Sequence, residues 1–255
     1  MEVIKIDEIS EYLGFATMYK YNDLNYKLIY SNHQKRANNT KYNERVGNDK
    51  KMQQAINRAR SKVFEYAYCN TWDYFITLTI DPSKHLRDQL DSYHKALTYF
   101  IKGLNKHRAN KIKFLLVPEL HSDKKSWHLH GLIAGLSAHD LTINANCYLD
   151  WAEYTNRFGY CSLSPIRNAE AVSKYILKYI GKGFNGQAVG SHLYFCSRGL
   201  KNKELMATGF LAKIPADWDY ENEFCKVLMI ENADLTYIDK PNDFLFDNVM
   251  EPLSV

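Results

Sequence analysis

Two histidines separated by one leucine, His128 and His130 in the stretch WHLHG (127–131), have a spacing that suggests chemistry. In an extended strand, residues two apart project from the same face, roughly 6–7 Å apart along the chain. His128 and His130 therefore point together, and Leu129 faces the other way, into the core. Two imidazoles on one side can share a divalent metal ion. Just upstream, VPELH (117–121) puts Glu119 and, by parity, His121 on one face of a preceding strand. A tight turn through HSDKKS (121–126) brings the two strands side by side. A carboxylate opposite two histidines makes a three-ligand set with open positions. Such a mixed set suits Mn²⁺ or Mg²⁺ as well as Zn²⁺. No cysteine stands close enough to supply a fourth ligand, which argues against a structural zinc site. The same His-x-His pattern also occurs simply as two half-exposed histidines in a strand.

A second group lies in SKYILKYIGK (173–182). Tyr175, Lys178, Tyr179 and Lys182 fall at i, i+3, i+4 and i+7, so a helix carries all four on one face. Val172, Ile176, Leu177 and Ile180 make the apolar remainder. An amphipathic helix with a wet face accounts for this pattern too. Chemically, a tyrosine hydroxyl can attack a phosphodiester and retain the strand as a phosphotyrosine. A neighbouring lysine lowers the cost of the phenolate and balances charge on the phosphorus. A metal ion can polarise the phosphate under attack.

These groups need rigid elements to hold them. YFITLTI (74–80) reads as a strand, β-branched and aromatic and stopped by DPS. Residues 88–108 read as a helix, with Leu90, Tyr93, Leu97, Phe100, Ile101 and Leu104 near helical spacing. IKFLLVPEL (112–120) and WHLHGLIA (127–134) form a hairpin, and a less regular segment containing Trp151 follows. GYCSLSPI (159–166) reads as a strand, and 168–181 as a helix capped by Asn168 and ended by Gly181 and Gly183. HLYFCSRGL (192–200) reads as a further strand and turn. Residues 1–34 suggest a hairpin, or a helix with a strand. Residues 35–48 look like a loop, and 49–68 a basic helix carrying Arg58, Arg60 and Lys62. The fold class expected is α+β, a central antiparallel sheet with flanking helices, the sheet covered on one face. The expected segments are a basic N-terminal arm over 1–69, a central domain over 70–214 and an acidic extension over 215–255.

Three motifs in this order, YFITLT, VPELH with WHLHG, and KYILKYIGK, resemble those of the HUH superfamily of rolling-circle replication initiators. YFCSRGL, with Arg198, resembles the segment after the tyrosine helix in phage and plasmid members. The likeness covers residues 70–200, about half of the chain. It implies a ferredoxin- or RRM-like sheet with the histidine strand in its middle. It also implies a site-specific enzyme that nicks and rejoins single-stranded or hairpin origin DNA with Mn²⁺ or Mg²⁺. His128 and His130 match the metal histidines, and Glu119 the third ligand; His121 is a substitute ligand or a DNA contact. Tyr175 with Lys178 matches the single-tyrosine pattern, Tyr175 with Tyr179 the two-tyrosine pattern; Tyr175 ranks first. Thr77 and Thr79 have family counterparts with structural or DNA-positioning roles. Lys182 and Arg198 are expected to contact DNA. A transposase or mobilisation relaxase uses the same chemistry, though relaxases carry a third metal histidine and an N-terminal tyrosine. A DNA-binding regulator on a degenerate scaffold is the non-enzymatic alternative.

Composition fits these readings. The chain has 255 residues, 45% hydrophobic and 24% charged, an ordinary globular balance. Its 19 tyrosines leave rings for stacking on bases. The net charge of +4 conceals an asymmetry. Residues 215–255 hold ten acids and two bases, −8, while residues 1–214 hold 31 bases and 19 acids, +12. A basic body suggests a polyanion such as nucleic acid, although solvated faces would look alike. Arg58, Arg60 and Lys62 are candidates for phosphate contacts. Five cysteines without a CxxC pair suggest neither a disulfide framework nor a zinc knuckle, and fit a reducing setting, the cytoplasm of a bacterial host. Apolar runs such as FLLV (114–117) are far too short for a membrane span, so no membrane partner is expected. No glycine-rich phosphate loop is present, so unwinding is expected from a host or viral helicase, with a polymerase extending the nicked strand.

Overall fold

The structure is a computed structural model, and it describes residues 15–31, 48–145, 147–180, 182, 192–210, 217–222 and 225–231. The loop expected over 35–48 falls almost wholly outside these residues, as do Gly181, Gly183, Phe224 and Phe244. In chain order the elements are strands β1 (Phe15–Asn22) and β2 (Asn25–Ser31), helix α1 (Asn48–Cys69), β3 (Tyr74–Ile80), α2 (Leu90–Asn105), β4 (Lys113–Leu120), β5 (Trp127–Ala134), β6 (Leu141–Ile143), β7 (Leu149–Trp151), α3 (Ala152–Arg157), β8 (Gly159–Pro165), α4 (Ala169–Ile176), β9 (Phe195–Cys196), β10 (Glu204–Phe210), β11 (Tyr220–Glu221) and β12 (Cys225–Ile230). A 3₁₀ turn, Leu177–Tyr179, continues α4. The fold is α+β, with antiparallel sheets and flanking helices. No helix among the described residues is long and apolar enough to cross a membrane.

The chain divides into two compact units, one of residues 1–45 with 202–255, the other of 46–201. In the first, strands run in the order β10-β1-β2-β12-β11, antiparallel throughout. The acidic segment is therefore partly built into a sheet. Its β12 pairs with β2, Leu228 opposite Leu28, and Trp218 lies 5.9 Å from the Tyr30 ring.

The second unit carries the histidines and tyrosines. Helix α1 belongs to it rather than to a separate arm. Its sheet runs β6-β7-β8-β3-β5-β4-β9, so the histidine strand β5 lies between β3 and β4. Alternation divides these strands cleanly. Ile76, Leu78, Ile80, Phe114, Leu116, Leu129 and Ile133 face one side and bury against Tyr93, Leu97 and Ile101 of α2, with Tyr154 and Phe158 beside them. Leu115, Val117 and Leu132 face the other side and bury against Ala59, Val63 and Ala67 of α1 and against Ile176, Tyr179 and Ile180. Both faces are thus covered, not the single face that the sequence suggested. The difference follows from α1 and α4, whose apolar stripes are short and whose placement depends on contacts far apart in sequence. The segment around Trp151 resolves into β6, β7 and the six-residue α3, and its indole is fully buried.

Gly131, the last residue of WHLHG, has a packing reason. It pairs with Leu116 across β4 and β5, and a methyl group there would overlap the Leu115 carbonyl oxygen and the Leu116 backbone. Neither neighbour can yield without breaking the ladder. Gly131→Ala is expected to destabilise the protein by roughly 3 kcal/mol, the upper end for overpacking a core. Urea unfolding followed by circular dichroism measures it. A midpoint unchanged from wild type would remove close strand approach as the reason for this glycine.

Candidate active site

The site lies where the apolar stripe on the second face of the sheet gives way to polar residues. On β5 the stripe runs from Leu132 to His130 and His128; on β4, from Val117 to Glu119; on β3, from Phe75 to Thr77 and Thr79. Register aligns them: Thr77 opposite His130, Thr79 and Glu119 opposite His128. Each threonine hydroxyl lies 3.1 Å from the Nδ1 of the histidine it faces. Nδ1 of both rings is thus satisfied from β3, and Nε2 of both is left to the open side. His130 uses its Nε2 on Glu119 Oε2, at 2.8 Å. Glu119 Oε1 lies 3.3 Å from Lys182 Nζ. The His121 ring stacks on His128 with centroids 5.0 Å apart. The rings of His128 and His130 are near parallel, 6.4 Å apart.

The tyrosines approach from above. Asn168 caps α4, its side chain accepting a hydrogen bond from the Ala171 amide, as the sequence suggested. The helix tightens to 3₁₀ geometry after Ile176, and this last turn lowers Tyr179 onto the sheet. Tyr179 stacks on His130, centroids 4.0 Å apart and planes 13° from parallel. Its hydroxyl donates to that of Tyr175 at 3.1 Å. Lys178 Nζ stands 3.4 Å from the centre of the Tyr175 ring and 4.8 Å from that of Tyr179. The four residues do not share one wet face: Tyr175 is 45% exposed and Tyr179 only 6%. Phe75 locks the pair from β3, meeting Tyr175 edge-on at 5.4 Å and Tyr179 at 6.3 Å.

These surroundings drive the two phenols apart. Tyr175 has its pKa lowered, chiefly by interaction with Lys178 and then by the hydrogen bond from Tyr179. Burial raises that of Tyr179 far above the ordinary phenol value. Tyr175 is the phenol readier to ionise and the one that solvent and ligands reach. Burial also lowers the pKa of both histidines, with His121 adding to the effect at His128. Neutral imidazoles facing a carboxylate are the form that binds a cation.

Among the described residues, no three His, Cys, Asp or Glu side chains already converge at metal-ligand spacing. Glu119 is hydrogen-bonded to His130 instead. The donor set nevertheless fits a divalent ion. Two imidazoles share a face with Nδ1 held by hydroxyls, which leaves Nε2 for a ligand, and a carboxylate stands beside them. Of the other residues singled out in the sequence, His121 and Lys182 join this group. Arg58 and Lys62 line a separate cavity of about 640 Å³ on α1 with His192 and Tyr194, and Lys62 pairs with Glu65. Arg60 and Arg198 are exposed, away from that cavity's lining. The sequence reading passed over Phe75 and Arg87. Arg87 Nε donates to the Ile80 carbonyl at 2.7 Å, and its charge depresses the pKa of His128. Nothing local in the sequence marks either residue; their roles arise from cross-strand pairing.

Residues 73–184 match a family model of replication-associated proteins, the ORF2 group. No curated protein and no solved structure matches the chain. The replication-associated segment begins one residue before β3 and ends beyond Lys182, so it contains Thr77, Glu119, both histidines and both tyrosines. It does not include α1 with Arg58 and Lys62, nor Arg198.

The histidines set a pH dependence. The unfolded chain protonates imidazole near the ordinary value of about 6.5, the fold at a lower pH. Their contribution to stability is therefore complete above about pH 6.5 and is lost as pH falls through the folded values. In EDTA, the thermal midpoint should drop between pH 7.5 and pH 5.5, and His128→Gln should drop less. Equal falls in the two proteins would mean that His128 is not held neutral by burial.

Proposed function

We propose that this protein is a replication initiator that nicks and rejoins single-stranded DNA at an origin of rolling-circle replication, using Tyr175 as nucleophile. The observation that carries this reading is one connected line of side chains: Tyr175 to Tyr179, Tyr179 to His130, and His130 to both Glu119 and Thr77. It joins an exposed hydroxyl of lowered pKa to a candidate ligand set. The match of this segment to replication-associated proteins supports the same reading.

The reaction is a transesterification. The Tyr175 oxygen attacks phosphorus, the bond from phosphorus to the 3′ oxygen breaks, and the 3′ oxygen leaves with a proton. The strand is then held as a 5′-phosphotyrosine while a polymerase extends the free 3′-OH. A later 3′-OH attacks the phosphotyrosine and restores the phenol, which rejoins the strand. Lys178 offsets the phenolate charge, and the Tyr179 hydroxyl donates to the same oxygen and fixes its direction. Glu119, His128 and His130 would hold a divalent ion, Mn²⁺ or Mg²⁺, with His121 adjacent. When bound, such an ion polarises the scissile phosphate. Thr77 and Thr79 keep the imidazole planes aligned by accepting from Nδ1–H, the tautomer that frees Nε2. Origin DNA, a host or viral helicase and a DNA polymerase are the partners this chemistry requires, in the cytoplasm of a bacterial host.

The test is a denaturing gel of protein incubated with labelled single-stranded DNA from its replicon, in Mn²⁺ or in EDTA. Wild type should form a covalent adduct in Mn²⁺ only. Tyr175→Phe should lose it, by roughly a thousandfold or more, since the nucleophile is gone. Tyr179→Phe should retain it at roughly a tenth of the rate, one directing hydrogen bond having been removed. An adduct that survives Tyr175→Phe but not Tyr179→Phe would reverse the roles. Tight binding by wild type without any adduct would favour a DNA-binding regulator instead.

The threonines permit a test without DNA. Thr77→Val with Thr79→Val should weaken Mn²⁺ binding roughly 10–100-fold, the effect of losing partners that orient metal-bound histidines. Titration calorimetry on the EDTA-stripped, dialysed protein measures this. Unchanged affinity would mean that the hydroxyls do not orient the rings.

A further inference from the structure

The outer row of β8 leads away from the histidines along the same face of the sheet. Tyr160, Ser162 and Ser164 stand opposite Thr79, Thr77 and Phe75. All three are exposed, while Cys161 and Leu163 between them are buried on the other side. At the Ser164 end the row opens into a cavity of about 320 Å³, whose walls include Phe75, Ser164, Pro165, Arg167, Val172 and Tyr175. The proposed nucleophile is thus one wall of this cavity, and the Phe75 ring, against which Tyr175 rests, is another.

Arg167 stands at the rim, exposed, with no ion pair or side-chain hydrogen bond among the described residues. Glu170, an acid one helical turn away, is committed to Lys174. An apolar slot with an aromatic wall and one available guanidinium has the complementary chemistry for a nucleotide: the base stacks on a ring, and the phosphate takes the guanidinium. The volume lies at the low end for ligand pockets, roughly 300–1,000 Å³. It suits one base turned out of its stack, and a base still paired in duplex could not enter.

We propose that this cavity is a single-nucleotide subsite for the DNA residue next to the scissile phosphate, with the base between Phe75 and Pro165 and an adjoining phosphate on Arg167. The strand would then run along the Tyr160–Ser162–Ser164 row and across the histidines. The proposal rests on the strand-nicking reading above and adds to it where the base beside the cut is recognised.

The test uses the full chain and single-stranded oligonucleotides spanning the mapped cut, each with one abasic position. Binding is followed by fluorescence anisotropy in EDTA, where no cleavage occurs, and adduct formation in Mn²⁺. Wild type should bind roughly tenfold more weakly when the abasic position lies beside the cut, the lower part of the range for one stacked base. Ser164→Trp, which fills the cavity from an exposed strand position, should abolish that sensitivity. Arg167→Ala should reduce the slope of log affinity against log salt by about 0.7, one phosphate contact on a single strand. Thermal melting checks that both variants fold. If wild type nicks DNA but the abasic sensitivity and the salt slope are the same in both variants, the subsite is wrong and the nicking reading stands. If wild type neither binds nor nicks single strands, that reading fails and the subsite with it.

Discussion

The register of β3, β5 and β4 is the constraint on which the site depends. Side chains alternate with a period of two, so a slip of one residue would turn both histidines into the core and Leu129 to the surface. Several features hold the pairing in place. Ile76, Leu78 and Leu129 fill one face while Leu115, Val117 and Leu132 fill the other, so no slipped register preserves either core. Gly131 permits an approach to β4 that a side chain would prevent. At the hairpin turn, Asp123 accepts from the amides of Lys125 and Ser126 and from the Ser126 hydroxyl, which holds its carboxyl well below the usual carboxylate range. A turn fixed in this way starts the two strands in phase.

Two tyrosines four residues apart meet opposite environments because the helix changes pitch between them. Regular helical geometry ends at Ile176, and the tighter turn rotates Tyr179 toward the sheet while Tyr175 stays at the rim. Burial raises the pKa of one phenol and an ammonium lowers that of the other. Acid–base roles separate by the same device when two like groups sit in unlike surroundings. A helix continued regularly to Lys182 would have kept both rings on one wet face, and little would have distinguished them.

What could be read directly in the sequence was local. The alternation in YFITLTI and WHLHGLIA specified strands, and Asn168 specified the start of α4, because each signal lies within a few residues. The face shared by His128 and His130 followed from the same period. Tyr179 was misplaced on an exposed face because helical spacing says nothing about what lies beneath a helix. Coverage of the second sheet face depended on α1 meeting β4 from about fifty residues upstream. The pairing of β12 with β2 joins segments nearly two hundred residues apart. Phe75 and Arg167 look ordinary in sequence and acquire meaning only through the strands and helix that bring them to Tyr175.

The cations around Glu119 place a further condition on the proposed reaction. Its carboxylate contacts both Lys182 and His130, so in the absence of other ligands it is neutralised from two sides. Serving as a metal ligand would draw its charge to the ion and leave Lys182, already half-exposed at 52%, without that partner. Lys182 lies 5.4 Å from the centre of the Tyr179 ring, on the side of the site where the tyrosines stand. A released ammonium there is suited to a phosphate oxygen and adds to the positive charge that Lys178 provides. Occupation of the ligand set and readiness to hold the strand would then be coupled through a single carboxylate.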